Sequence, residues 1–156
     1  MKCVTKSVLF SLFSIGVTFT VVLVCFNNFV SDNLSKKQIF NLVEKNNGII
    51  IEDIADNDFS DTLLLKGVKK VKNIDAQNCI ISFECGGKGF GSATSYYGFY
   101  YSENDEPIGI YFGTNIQGDF ELMPNGNSYS YTEENSDNTY YTERIIKNFF
   151  YYESHF

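Results

Sequence analysis

Hydrophobic and polar residues follow three regimes along the chain. Residues 7–30 form an uncharged stretch of 24 residues, rich in Val, Leu and Phe. A bilayer core about 30 Å thick takes roughly 20 helical residues, so this stretch is long enough to span one. A cleaved secretion signal has a shorter apolar region and a small-x-small site. The best such site, Ser14 and Gly16, would leave Val17-Thr18-Phe19-Thr20-Val21-Val22 as an apolar mature terminus, and Cys25 follows Val24 where a lipoprotein site needs a small residue. The expected organisation is a short cytoplasmic N-terminus (1–6), a transmembrane anchor (7–30) and an extracytoplasmic domain (31–156). Lys2, Lys6 and the terminal amine, weighed against Lys36 and Lys37, set the orientation by a narrow margin.

The second regime has helical spacing. Ser35 followed by Gln38 is a capping-box pattern, Ile39, Phe40, Leu42 and Val43 give an apolar side, and Asn46-Asn47-Gly48 supplies a stop. Beyond it the period falls to that of strands. Ile49-Ile50-Ile51 begins extended structure, residues 56–61 form a polar turn, and Thr62-Leu63-Leu64-Leu65 restarts a strand. Residues 68–74 and 79–85 read as a hairpin around Asp75-Ala76-Gln77-Asn78, with Cys79, Ile81, Phe83 and Cys85 on one face.

A second hairpin is expected between residues 96–102 and 107–113. Pairing Ser102 with Pro107 places Tyr101, Phe99 and Tyr97 opposite Ile108, Ile110 and Phe112 on one apolar face. The other face then pairs Tyr100 with Gly109, Gly98 with Tyr111 and Tyr96 with Gly113, each tyrosine covering a glycine. Residues 128–132 alternate cleanly. Residues 140–145 and 149–153 read as closing strands: Tyr141, Ile145, Phe149 and Tyr152 also share a helical face, but aromatic and β-branched residues dominate. The sum is an α+β domain, one helix packed on an antiparallel sheet of hairpins.

Charge narrows the function classes. Of 12 Lys and Arg, Lys2 and Lys6 precede the domain, leaving 10 against 19 Asp and Glu in residues 31–156, a net of −9. That balance argues against nucleic acid, which needs clustered cations. Lys66, Lys69, Lys70 and Lys72 form the one basic run, either a solvated strand face or a contact for anionic headgroups or wall polymers. Abundant Asn, Lys, Ile, Phe and Tyr with few alanines points to an AT-rich, bacterial coding sequence.

Candidate chemistry is sparse. Cys79 and Cys85 lie six residues apart on one strand face, roughly 20 Å at strand rise, too far for a disulfide. They read as buried thiols, with a reactive Cys85 at the lip of a glycine run as the sharper alternative. That run, residues 86–92, matches neither nucleotide-binding pattern and leads into tyrosines rather than a helix. His155 is the sole histidine; it sits at a terminus expected to fray and reads as a surface residue, so no metal or cofactor is expected. The acidic clusters at residues 56–61, 103–106 and 133–137 lack the glycine of a calcium loop and fit solvated turns. All 11 tyrosines fall between Tyr96 and Tyr152, and an aromatic face of Tyr96, Tyr100 and Tyr111 is the expected binding surface for a glycan or protein.

The run Ser95-Tyr96-Tyr97-Gly98-Phe99-Tyr100-Tyr101-Ser102, with Pro107 behind it and Tyr151-Tyr152-Glu153 near the end, resembles a family of small membrane-anchored proteins of Gram-positive bacteria with a tyrosine-rich extracytoplasmic domain. The resemblance implies an envelope location and carries no activity, cofactor or catalytic residue. With no recognisable catalytic set, the sequence reads as a membrane-anchored module binding an envelope protein or wall glycan. A small hydrolase using acidic residues or Cys85, and a regulatory or immunity-type protein, are the alternatives.

Overall fold

A computed structural model describes residues 33–90, 93–111, 114–116 and 118–156. The apolar stretch 7–30, like Phe112 and Gly113 of the expected hairpin, lies outside the described residues. Among those described, no helix is long and apolar enough to cross a membrane. The domain is α+β, with one long helix packed on an antiparallel sheet.

Helix α1 spans Lys36–Asp56. Gln38 Oε1 accepts the Ser35 backbone N–H at 2.8 Å, as a capping box requires. The helix does not stop at Asn46-Asn47-Gly48, and Ile49-Ile50-Ile51 is helical rather than extended. A glycine inside a helix costs about 1 kcal/mol relative to alanine. Burying Ile50 completely contributes about 1.5–3 kcal/mol, so packing wins. Ile39, Val43, Ile50 and Asp53 form the buried stripe, and the stop is Asn57 in a left-handed conformation (φ 53°).

The expected strand at Thr62-Leu63-Leu64-Leu65 is instead a short helix, α2 (Ser60–Leu64). Local hydrogen bonds decide this. Asp58 accepts the Ser60 N–H at 3.1 Å, and the buried Asp53 carboxylate accepts the Thr62 N–H at 2.7 Å. These bonds satisfy amides that a helix start leaves open.

Among the described residues nine strands follow: β1 (Lys70–Asp75), β2 (Ile80–Phe90), β3 (Ala93–Ser102), β4 (Gly109–Tyr111), β5 (Thr114–Ile116), β6 (Glu121–Leu122), β7 (Ser128–Thr132), β8 (Thr139–Ile146) and β9 (Phe149–His155). Seven form one antiparallel sheet in the order β1-β2-β3-β9-β8-β7-β6, and β4 pairs with β5 alone. The β1–β2 hairpin forms as expected, its turn held by Asp75 accepting N–H groups from Gln77 and Asn78 at 2.9 and 3.1 Å. The strands at residues 128–132, 140–145 and 149–153 are also strands in the fold.

The pairing of β3 with β4 does not form. β3 is hydrogen-bonded to β2 on one side and β9 on the other, so no edge remains for residues 107–113. The opposed pairs Tyr100/Gly109 and Gly98/Tyr111 are therefore absent, and Tyr96/Gly113 lies outside the described residues. Gly98 serves a different neighbour. A Cβ there would collide with the Phe83 carbonyl, where the β2–β3 register shifts between Glu84 and Gly86. The glycine run from Gly86 is likewise strand up to Phe90, not a loose connection.

Each face of the sheet is covered. On one, α1 packs on Ile81, Phe83, Cys85, Phe99, Phe149 and Tyr151, with Phe83 and Phe99 stacked at 4.5 Å between ring centroids. On the other, Ile110 of β4 packs on Tyr100, Phe150 and Tyr152. The loop into β4 is fastened through Asp105, which pairs with Arg144 and accepts the Asn148 N–H at 2.7 Å.

Candidate functional site

The expected site residues do not assemble as a tyrosine face. Tyr100 has no exposed surface; its ring stacks on Phe150 at 5.2 Å and its hydroxyl is 2.8 Å from Thr142 Oγ1. Tyr96 and Tyr111 approach one another only around Phe156, at 6.1 and 4.9 Å from its ring, and only Tyr111 is well exposed. The correction has a simple cause. With β3 central in the sheet, alternate residues face one core or the other, and Tyr100 faces the second.

The basic run is split in the same way. Val71 points to the α1 face, so Lys70 and Lys72 lie on the opposite face and border, with Tyr96, a small cavity of about 20 Å³. Lys69 instead donates to Asn33 Oδ1 at 2.7 Å, and Lys66 is exposed. Cys85 is fully buried, and burial pushes its thiol up to about 12. A thiol that stays protonated is no nucleophile, so the reactive reading of Cys85 is withdrawn. Cys79 and Cys85 are both free.

What the fold does bring together is at the other end of β9. The β3–β9 register sets Ser95 opposite His155 and Tyr97 opposite Glu153. Period-two alternation then puts Tyr151, Glu153 and His155 on one face. Ser95 Oγ is 2.8 Å from His155 Nδ1, and His155 Nε2 is 3.4 Å from a Glu153 carboxylate oxygen. The other Glu153 oxygen accepts the Tyr151 hydroxyl. Burial, followed by this Glu153 partner, holds the Tyr151 phenol far above its ordinary value. These groups line a cleft of about 210 Å³, closed by Leu34, Ser35, Lys36, Lys88 and Tyr97.

Polar contacts tie the wall beside it together. Lys36 pairs with Glu143, donates to the Tyr141 hydroxyl at 2.9 Å and sits 4.6 Å from the Tyr141 ring centroid. Burial opposes its charge, but Glu143 and Tyr141 more than offset this and raise its pKa. Nor does the C-terminus fray at the site: Thr94 and Phe156 exchange backbone hydrogen bonds of 3.2 and 3.0 Å. His155 therefore lines the cleft while its side chain stays 42% exposed, in keeping with its reading as a surface residue.

No family model, curated protein or solved structure matches this chain. Chemistry is therefore read from the cleft alone. Two hydroxyls, an imidazole, a carboxylate, two phenols and two ammonium groups line one concavity. A larger depression of about 310 Å³ near Ser102 and Phe120 has Glu106 as its one charged lining residue. Among the described residues, no group of three or more His, Cys, Asp or Glu side chains is placed to hold a metal.

The alternation of Tyr151, Glu153 and His155 was the available signal for this site. Ser95 was not locatable without the β3–β9 register, which joins residues 60 apart.

Proposed function

We propose that this chain is a membrane-anchored extracytoplasmic binding module, held by residues 7–30, whose cleft takes up a unit of a wall glycan. The convergence of Ser95, His155 and Glu153 beside the half-buried Tyr97 ring carries this reading. Sugars offer hydroxyls to such polar groups and flat C–H faces to aromatic rings. Lys36 is paired with Glu143 at the cleft wall, and the net acidic surface fits a neutral ligand better than a polyanion.

The test is calorimetric titration of the full chain in detergent with N-acetylhexosamine oligomers. Binding should weaken about tenfold or more in Glu153→Gln, the loss of one charge-assisted hydrogen bond. Unchanged affinity in Glu153→Gln and Ser95→Ala would refute the site.

A second reading, hydrolysis, is favoured by the Ser95–His155–Glu153 chain itself. With the Nε2–H proton directed at Glu153, Nδ1 is free to accept the Ser95 proton as its oxygen attacks a carbonyl carbon. Release of p-nitrophenol from a p-nitrophenyl ester, abolished in Ser95→Ala with the thermal melt unchanged, would establish it. Neither Cys85 nor a carboxylate pair is needed for that chemistry.

A further inference from the structure

We infer that a collar of lysines around the start of the domain seats it on the anionic headgroups of a bilayer. The inference rests on the reading of residues 7–30 as an anchor in that membrane.

The collar is built by contacts to Asn33 and Leu34, the first described residues. Lys69 donates to Asn33 Oδ1 at 2.7 Å. Leu34 lies so close to Gly67 (φ 99°) that a Cβ there would overlap its side chain. Gly67 is flanked by the exposed Lys66. Leu34 and Ser35 share a cleft wall with Lys36 and Lys88, and Lys37 is exposed on the first turn of α1. Of the ten Lys and Arg in residues 31–156, Lys36, Lys69 and Lys88 border Asn33–Ser35, and Lys37 and Lys66 are exposed beside them along the chain, five in all. Sequence spacing hides this, because the five come from three separate segments.

Two further features point to lipid. Leu64 is 82% exposed and Leu63 47%, an apolar tip just before Lys66, and exposed leucines beside lysines are the composition of interfacial membrane contacts. Covalent geometry adds a limit. Only Ser31 and Asp32 separate the end of the apolar stretch from Asn33. At about 3.5 Å per residue, Asn33 stays within about 10 Å of Val30. That is about a Debye length, the range over which basic residues sense anionic lipid. A domain of net −9 is repelled by such a surface as a whole, so it meets it through a basic face. The collar is such a face, and the one next to Asn33.

Hydrogen exchange of the full chain in vesicles tests this, comparing phosphatidylcholine alone with phosphatidylcholine plus phosphatidylglycerol. The expected result is slower exchange across residues 60–69 in the anionic vesicles. The difference should vanish in high salt and in a Lys37→Gln/Lys66→Gln/Lys69→Gln variant whose thermal melt is unchanged. Equal exchange in both vesicles, or protection produced as well by soluble polyphosphate over neutral lipid, would overturn it. Alkaline extraction of the same vesicles scores the anchor separately. A chain that washes off yet keeps its lipid-dependent protection refutes the anchor and retains the collar.

Discussion

The Tyr100 hydroxyl lies 2.8 Å from Thr142 Oγ1 and accepts the Ile108 backbone N–H at 2.9 Å, so one phenol ties β3 to β8 and to the segment entering β4. Tyr100→Phe leaves that amide without its partner in a half-buried site. The expected cost is about 1–3 kcal/mol in urea unfolding. A surface tyrosine would show no such loss, so an unchanged midpoint contradicts the burial.

A second buried pair behaves oppositely on its two sides. Asp53→Ala removes the acceptor of the Thr62 N–H and should cost about 1–3 kcal/mol. Thr62→Val deletes a hydroxyl that has no hydrogen-bond partner in its buried site; it should be neutral or stabilising by about 1 kcal/mol. Thermal melts of the two variants, shifting in opposite directions or with only Asp53→Ala falling, check the arrangement.

Gly48 tests the long helix. A Cβ at this position would meet nothing within 4 Å, and the residue is helical. Gly48→Ala should therefore stabilise by about 0.5–1 kcal/mol. Destabilisation would restore the expected helix stop at Asn46-Asn47-Gly48.

Alkaline pH should unfold the domain. Burial raises the phenols of Tyr100, Tyr151 and Tyr152 and pushes Cys85 up to about 12. Between the unfolded values, near 9 for the thiol and 10 for phenols, and the higher folded values, the native state holds more protons than the unfolded chain. Stability is then fully present below about pH 9 and falls as pH rises. Tyrosinate absorbance should show an early fraction from exposed tyrosines and a late one that appears only with loss of the fold. A single smooth titration of every tyrosine in the folded protein would contradict this.

The strands from Ser128 onward and the β1–β2 hairpin were legible because alternation and turn residues are local signals. The face shared by Cys79, Ile81, Phe83 and Cys85 was legible for the same reason, and all four join the α1 core. The β3–β4 hairpin failed although its pattern was locally consistent. Its apolar and tyrosine–glycine faces matched, but Phe149, Phe150 and Tyr151 offered β3 a more extensive apolar partner. Pairings across some fifty residues leave no local mark. The same pairing hid the cleft, since Ser95 gains His155 only through it.

The chain's one histidine gives the most direct measurement. Because His155 lines the cleft and no second histidine exists, its ring resonances report that site alone. Titrating the full chain with N-acetylhexosamine oligomers should move those resonances saturably, at the affinity measured by calorimetry, and the Ser95→Ala variant should weaken the response. Saturating glycan binding with the His155 signals unmoved would contradict the account.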